Sequence, residues 1–323
     1  MGRRIGHKLM VQLSPVLVFV YNRPQHARLT IEALQRNELA KETDLYIFSD
    51  APAGEDDIEA VSLVRSFIKN ITGFKTVTIK EQSVNLGLAA SIIAGVSKIL
   101  DKSEQVIVLE DDIVCGRYFL KFMNDALEAY KDEDKVGSVS GYLFPLDGVK
   151  QNFFARNFSS WGWGTWRRAW QLFVQDGREL LRELDERQLA FKMDFDGTMG
   201  FSGILCDQIA GRNNSWAIRF FTSLYLRDKL TFYPRSSLIA NIGCDNSGTH
   251  CGATNINDVE VFEEPLEVIA QDVKENLFCR QRFINYFNFI NQGDHTQIKA
   301  DRYELLLPVS YTHLRAHETG AYL

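Results

Sequence analysis

Short apolar runs and amphipathic stretches alternate through residues 15–130, and this alternation limits the possible folds more than any other feature of the chain. The runs at residues 15–21 (PVLVFVY), 45–48 (LYIF), 77–79 and 106–109 (VIVL) are rich in β-branched and aromatic residues and end in polar turns. That pattern predicts strands buried on both faces. Between them, apolar residues recur at helical spacing. One stripe is Ala27, Ile31 and Leu34, and another is Ile58, Val61, Val64, Phe67, Ile68 and Ile71. A third is Ala89, Ile92, Ile93, Val96 and Leu100, and a fourth is Phe119, Phe122, Met123, Ala126, Leu127 and Tyr130. Strand and helix joined by short connections, repeated in this way, specify an α/β fold with a mostly parallel, doubly wound sheet. The polar tips at Asn22 and Arg23, at Asp50, at Asn85 and at residues 110–112 all fall at strand carboxyl ends. In such a sheet these ends converge on one ligand-binding crevice.

The sharpest of those tips is Glu110-Asp111-Asp112, directly after the buried VIVL strand. Three adjacent carboxylates repel one another, so the cluster costs free energy unless a cation lies beside it. Oxygen-only ligands suit a hard divalent ion, Mn²⁺ or Mg²⁺. The competing reading is a strand that runs into a solvated acidic turn. No G-x-G-x-x-G follows the first strand and no G-x-x-x-x-G-K-[ST] occurs, so neither a dinucleotide fingerprint nor a P-loop is present.

The net charge of −6 argues against a general nucleic-acid binder. No apolar run reaches the ~18 residues of a spanning helix. Met1-Gly2-Arg3-Arg4 with Lys8 has the charge of a signal-peptide start, but no small-residue cleavage site follows the apolar run. The expectation is a cytoplasmic protein, associated at most with the inner face of the membrane. The five cysteines lack close-paired spacing, which favours reduced thiols, with Cys244 and Cys251 as the one pair able to bridge or to bind metal.

The second half has a different character. Residues 136–140 and 230–233 read as strands, and Trp161, Trp163, Trp166 and Trp170 crowd one segment with Gly162 and Gly164 between them. Aromatic faces beside polar loops suit the apolar faces of sugar rings, and aromatic rings equally fill cores. Trp216 opens an aromatic-rich helix through Leu226, and the Gly/Asn/Ser loop at 241–250 ends in His250, a candidate for touching ligand or metal. Residues 273–290 carry a rough helical stripe that suits a packed terminal helix better than a membrane-surface one. Residues 309–319 resemble the in-frame translation of a sequencing-library adapter, so the natural chain is expected to stop near Leu307. The His313, His317 and Glu318 spacing in that tail is accordingly not taken as a zinc site.

Together these blocks resemble the GT-A glycosyltransferases. PVLVFVYNRP, the Asp50 turn, NLGLAASI and VIVLEDD are similar to family-2 bacterial sugar transferases. EDDIVCGRYFLKFM, SSWGWGTW, NNSWAIRF and NIGCDNSGTHC resemble a bacterial group related to N-acetylglucosaminyltransferase I. The similarity runs from Pro15 to about Cys251, and the order of the blocks is more specific than any one of them. The resemblance implies an inverting, metal-dependent hexosyl- or N-acetylhexosaminyl-transferase. It would move sugar from a nucleotide-diphospho-sugar to a saccharide or glycolipid hydroxyl in surface polysaccharide or lipopolysaccharide assembly. Asp112 matches the metal ligand of the DxD-type motif, with Glu110 and Asp111 near ribose and sugar. Asn22, Arg23, Asp50, Asn85 and Gly87 match nucleotide-side positions, and Trp161, Trp163, Trp216 and His250 the acceptor side or its loops.

The general base departs from the pattern. Related enzymes carry an Asp just before the Trp of the NNSW block, and this chain has Asn213-Asn214-Ser215-Trp216. An amide cannot take the proton, so the expectation moves to Asp207, with Asp194, Asp196 and Asp245 as further carboxylates. The implied organisation is a lead-in at 1–14 and a GT-A domain at 15–257. That domain divides into a nucleotide-sugar half at 15–140 and an acceptor half at 141–257. A helical extension at 258–307 and a non-native tail at 308–323 follow. Two other readings compete. One is nucleotide-sugar binding without turnover, favoured by Asn214. The other is a sugar nucleotidyltransferase, disfavoured because Asn22-Arg23-Pro24 stands where a Gly-rich basic loop belongs.

Overall fold

The computed structural model describes residues 13–245 and 256–292. The first half builds the expected units in order: β1 (Val16–Val20), α1 (Pro24–Gln35), β2 (Asp44–Ser49), α2 (Ile58–Ile68), β3 (Thr76–Glu81), α3 (Leu88–Leu100) and β4 (Gln105–Glu110). Pro24 opens α1, where its fixed φ fits and its missing N–H is not needed. After β4 come β5 (Ile113–Cys115), α4 (Phe119–Ala129), β6 (Val136–Ser140), β7 (Phe153–Ala155) and β8 (Trp163–Trp166). The helices α5 (Arg167–Trp170), α6 (Gly177–Glu186), α7 (Ala190–Met193), α8 (Phe201–Ile209) and α9 (Trp216–Leu226) follow. The described chain ends with β9 (Leu230–Tyr233), β10 (Ile239–Asn241) and α10 (Leu277–Gln292).

Eight strands form one sheet in the order β3-β2-β1-β4-β8-β6-β9-β7. The first four are parallel, as the alternation predicts. β8 then runs antiparallel to both β4 and β6, and β7 runs antiparallel to β9, so the sheet is mixed. The tryptophan-rich segment is therefore a strand inserted in the sheet, where the sequence pointed to a loop. Both halves of the chain contribute to this one sheet.

Alternate residues of each strand feed opposite layers. Val16, Val18, Ile107 and Leu109 face α1 and α4 on one side, and Leu17, Phe19, Val106 and Val108 face α3 and α9 on the other. All eight are at most 4% exposed. Each such aliphatic side chain contributes about 1.5–3 kcal/mol of burial. A third apolar cluster, with Phe153, Phe195, Tyr233, Phe283 and Phe287, holds α10 against β7. The expected helical extension is thus observed for residues 277–292 and is packed. Among the described residues no helix is long and apolar enough to cross a membrane. The expectation of thiols holds for Cys115, Cys206 and Cys279. Cys244, in contrast, is disulfide-bonded. Cys251 lies outside the described residues.

Candidate functional site

The chain builds β2 and β3 outward on one side of β1, then places β4 on the other side. The strand order reverses between β1 and β4, and open α/β sheets bind ligands at the carboxyl ends on either side of such a reversal. Here the turns after β1, β2 and β4 meet, and they carry most of the polar residues singled out by sequence.

The turn after β4 holds Glu110, Asp111 and Asp112. Asp111 is 4% exposed. Its Oδ2 accepts from Tyr21 N at 3.4 Å, its Oδ1 pairs with Arg23, and its carbonyl accepts from Thr30 Oγ1 at 2.7 Å. Asp112 Oδ2 takes Arg23 Nη2 at 2.9 Å, and its Oδ1 takes no hydrogen bond among the described residues. Burial, reinforced by the charges of Asp112 and Asp111, pushes the Glu110 carboxyl up to about 8. Burial also raises Asp111 to about 6, against the pull of Arg23. Burial alone would lower the Arg23 pKa, but the charges of Asp111 and Asp112 outweigh it and hold the guanidinium above its ordinary value. Asp111 and Asp112 thus share one guanidinium beside Glu110, and burial first, then the neighbouring carboxylates, keeps Glu110 and Asp111 above the ordinary carboxylate range.

One wall of the crevice comes from far along the chain. β5 pairs antiparallel with β10, which delivers Ile242 and Gly243 to the acidic turn. Ile242 N donates to the Asp112 carbonyl at 2.9 Å. A Cβ on Gly243 would overlap the Asp112 carboxylate and come within 3.0 Å of Arg23 Nη1, so only glycine lets the backbone lie this close. His26 Nε2, on α1, lies 3.3 Å from the Ile242 carbonyl and 3.2 Å from Asp245 Oδ2, which ties the wall to the first helix.

The opposite side is built by β1 and β2. Tyr21 and Asn22 both donate to Asp57, each at 2.7 Å. These two bonds are the leading cause that holds the Asp57 carboxyl below the usual range. Asp50 is 6% exposed. Its carboxylate accepts from Leu86 N at 2.9 Å and Gly87 N at 2.8 Å. Asn85 Nδ2 donates back to the Ala51 carbonyl at 2.6 Å. Gly87 has φ +74° and open space around it, so it turns the chain into α3 without a strained side chain. Asp50 therefore organises the loop that carries Asn85 and Gly87. Arg65 supports it from below through the Asp50 carbonyl at 3.1 Å and the Gln82 carbonyl at 2.7 Å.

Asn22, Arg23, Asp50, Asn85, Gly87 and residues 110–112 are thus drawn together, and other expected residues are not. Trp163 is 1% and Trp216 3% exposed. Their rings stack at 5.1 Å in the core beneath the sheet, which corrects the expectation that they meet an acceptor. Trp163 is core because β8 is a central strand whose side chains have no route to solvent, and Trp216, the first residue of α9, packs against it. Trp161, one residue before Gly162, stays half-buried against Tyr142 at 4.7 Å. Asp207 lies on α8, which packs on α6, α7 and α9, and its carboxylate is bound by Arg212. His250 lies outside the described residues. Sequence reasoning missed Tyr21, His26, Thr30, Asp57 and Gly243. The acidic 55–57 run before α2 was the one available signal.

Among the described residues, no group of three or more His, Cys, Asp and Glu side chains is arranged to hold a metal ion. The acidic turn still fits a divalent ion whose remaining ligands are phosphate oxygens and water, as Mg²⁺ or Mn²⁺ sites commonly have. The acceptor atoms there are all oxygens, and among the described residues Asp112 Oδ1 takes no hydrogen bond.

No protein-family model matches the chain, and no curated protein matches it. Solved structures do overlap with it. One is the mannosyltransferase PcManGT from Pyrobaculum calidifontis in complex with GDP-Man and Mn²⁺: 14% identity, TM-score 0.45, 97% of this chain and 77% of that chain covered. Another is S. aureus TarS 1-349, at 11% identity and TM-score 0.40, with 94% and 72% covered. A third is a putative glucose-1-phosphate thymidylyltransferase from Bacillus anthracis in complex with a sucrose, at 11% identity and TM-score 0.30, with 50% and 74% covered. None of these three reaches a TM-score of 0.5. The roles of residues in this chain therefore follow from their own geometry.

Proposed function

We propose that this chain is a GT-A-type glycosyltransferase, related to the group around N-acetylglucosaminyltransferase I. It transfers a hexose or N-acetylhexosamine from a nucleotide-diphospho-sugar to a hydroxyl of a saccharide or glycolipid, with inversion and with a divalent cation. The observation that carries the reading is the Glu110–Asp112 turn at the reversal between β1 and β4, where Asp111 and Asp112 pair with a single guanidinium directly after Glu110. Asp112 would hold Mn²⁺ or Mg²⁺ beside the diphosphate, with Glu110 and Asp111 on the ribose and sugar side. The ion, when bound, neutralises charge that grows on the departing diphosphate.

Arg23 has a second task in this reading. Once a cation binds Asp112, its guanidinium is available to the diphosphate as a fixed positive charge. The acceptor oxygen attacks the anomeric carbon as the bond from that carbon to the diphosphate breaks. The hydroxyl proton passes to a protein base. Asp207 was expected in that role, yet its carboxylate, on α8, is bound by Arg212. Asp245 is two residues from Gly243, which touches Asp112, and its carboxylate is 48% exposed beside His26. Proximity to the acidic turn favours Asp245. Binding without turnover remains the rival reading, because Asn214 stands beside the Ser215 cap of α9 where a base was expected. A role in surface polysaccharide or lipopolysaccharide assembly is part of the proposal and rests on sequence resemblance.

The test is calorimetric titration of UDP, GDP, CDP and dTDP, each with Mn²⁺ and with EDTA. Metal-dependent binding of one diphosphate would establish the donor site. If a folded protein binds none of the four, the reading fails. Product formation from the matching nucleotide-sugar and a hydroxyl acceptor then separates enzyme from binder.

A further inference from the structure

Arg219, on α9, is a buried charge with no counter-charge among the described residues. It is 7% exposed. Its Nε donates to the Ser215 carbonyl at 3.1 Å, its Nη1 to the Gln175 carbonyl at 3.2 Å and its Nη2 to Asn214 Oδ1 at 3.4 Å. All three acceptors are neutral oxygens. Burial lowers the Arg219 pKa and no neighbouring carboxylate opposes it, whereas Asp111 and Asp112 do so at Arg23. A buried cation is costly until an anion faces it. A guanidinium also has N–H donors beyond the three used here, in a fork that matches carboxylate and phosphate oxygens.

The fold carries this charge to the edge of the sheet that holds the acidic turn. Trp216, the first residue of α9, stacks on Trp163, which pairs with Val108 two residues before Glu110. Toward its other end α9 packs Leu224 on Gly137, near the start of β6, a strand parallel to β4. The N-terminus of α9 therefore lies at the strand carboxyl ends. The guanidinium bonds back to residues 214 and 215, ahead of the helix, and so points to that edge. Asn214, which is exposed, covers it through the longest of the three bonds. Asn214 Nδ2 makes no hydrogen bond to any described residue.

We infer that Arg219 and Asn214 seat an oxyanion, a carboxylate or phosphate group, carried by the acceptor. The acceptor assignment rests on the glycosyltransferase reading above, and the oxyanion seat does not. β8, against which α9 packs, lies two strand spacings from β1, roughly 10 Å. The donor keeps the reversal between β1 and β4, and the oxyanion falls beyond β4 on the other side. The Asn214 amide swings off Arg219 and donates an N–H to one oxygen of the anion, while the guanidinium donates to another. The resulting charge-assisted pair supplies the missing counter-charge.

The test titrates glucuronate, glucose 6-phosphate and glucose into the full chain, with neither nucleotide nor metal present. At least one anionic sugar is expected to bind on the order of tenfold tighter than glucose, and the tighter of the two names the anion. Asn214→Asp sets a carboxylate against Arg219. That variant should melt above the parent and bind the anionic sugars within about threefold of glucose. Arg219→Gln should lose the same preference. Equal binding of all three sugars by the parent, or an undiminished preference in either variant, would overturn the inference. With the donor identified, Arg219→Gln should raise KM for an acceptor bearing that anion on the order of tenfold, with diphosphate affinity unchanged. Loss of diphosphate affinity instead would overturn the acceptor assignment. No binding by any diphosphate would remove the donor-site reading and the acceptor role with it, while the oxyanion seat stands or falls on the donor-free titrations.

Discussion

Arg23 Nη2 lies 2.9 Å from Asp112 Oδ2 while the same guanidinium pairs with Asp111, so one side chain bridges two of the three carboxyl groups of the turn. The pairing has a direct consequence for the unliganded protein. A cation that reaches Asp112 must compete with Arg23, and it wins only if it brings further ligands with it. Metal and nucleotide should therefore bind together better than either alone.

Asp112→Asn keeps the size of the side chain and an oxygen for Arg23, but removes the charge. Calorimetry should show the Mn²⁺-dependent part of diphosphate binding abolished, with the thermal midpoint close to that of the parent. Undiminished Mn²⁺-dependent affinity would remove Asp112 from the site.

Gly243→Ala drives a methyl group into the Asp112 carboxylate and toward Arg23. Overpacking of this kind costs about 1–3 kcal/mol. Nucleotide binding should fall with it, since the wall must withdraw. Gly87→Ala is the contrast, because its neighbourhood is open and only the positive φ is unfavourable, at about 1 kcal/mol. A denaturation midpoint and a binding isotherm for each variant separate the two effects.

Asp245→Asn and Asp207→Asn distinguish the two candidate bases. If Asp245 takes the proton, its amide variant should lose on the order of a hundredfold or more in turnover with donor affinity retained. Asp207→Asn should then change turnover little. The reverse result would restore Asp207, and activity unaffected in both would remove both.

The tryptophans separate by stability. Trp163→Ala empties a core position that is 1% exposed and should cost about 3–5 kcal/mol. Trp161→Ala, at a half-buried ring, should cost about 1 kcal/mol and show its larger effect on acceptor saturation. Equal loss of stability in the two would contradict the burial difference.

Asp194 gives the pH signature. It is 2% exposed, and it takes Ser202 N at 2.8 Å and Ser202 Oγ at 2.5 Å. Burial raises its carboxyl to about 7. The folded state therefore keeps a proton that the unfolded chain has already lost. The stability present below the ordinary aspartate value is lost as pH rises through about 7. The slope from this one group is at most about 1.4 kcal/mol per pH unit. Asp194→Asn cannot ionise and should flatten the thermal midpoint between pH 4 and 7. A parent and variant with parallel profiles would contradict the assignment.

The first four strands, the helices between them and the acidic turn were legible because each is local: a run of β-branched residues, a helical stripe, three adjacent carboxyl groups. The tryptophan strand was not, because Gly162 and Gly164 mimic a loop in composition, and only the pairing of β8 with β4 and β6 shows otherwise. Asp57 and Gly243 were hidden for a different reason. Their significance lies in what they touch, and Asn22 and Asp112 are remote from them in sequence. Asp50 was singled out as a polar tip at a strand end, but its bonds to Leu86 and Gly87 required the fold.

The β5–β10 ribbon joins the acidic turn to a segment more than a hundred positions downstream. In a ribosome-bound chain, β1 to β4 can assemble long before Ile242 and Gly243 leave the exit tunnel. A nascent chain stopped short of β10 would carry the full carboxylate set and still lack the wall that encloses it. On the proposed function, donor binding is then a late event in the life of each molecule, and a truncated product could not sequester nucleotide-sugar.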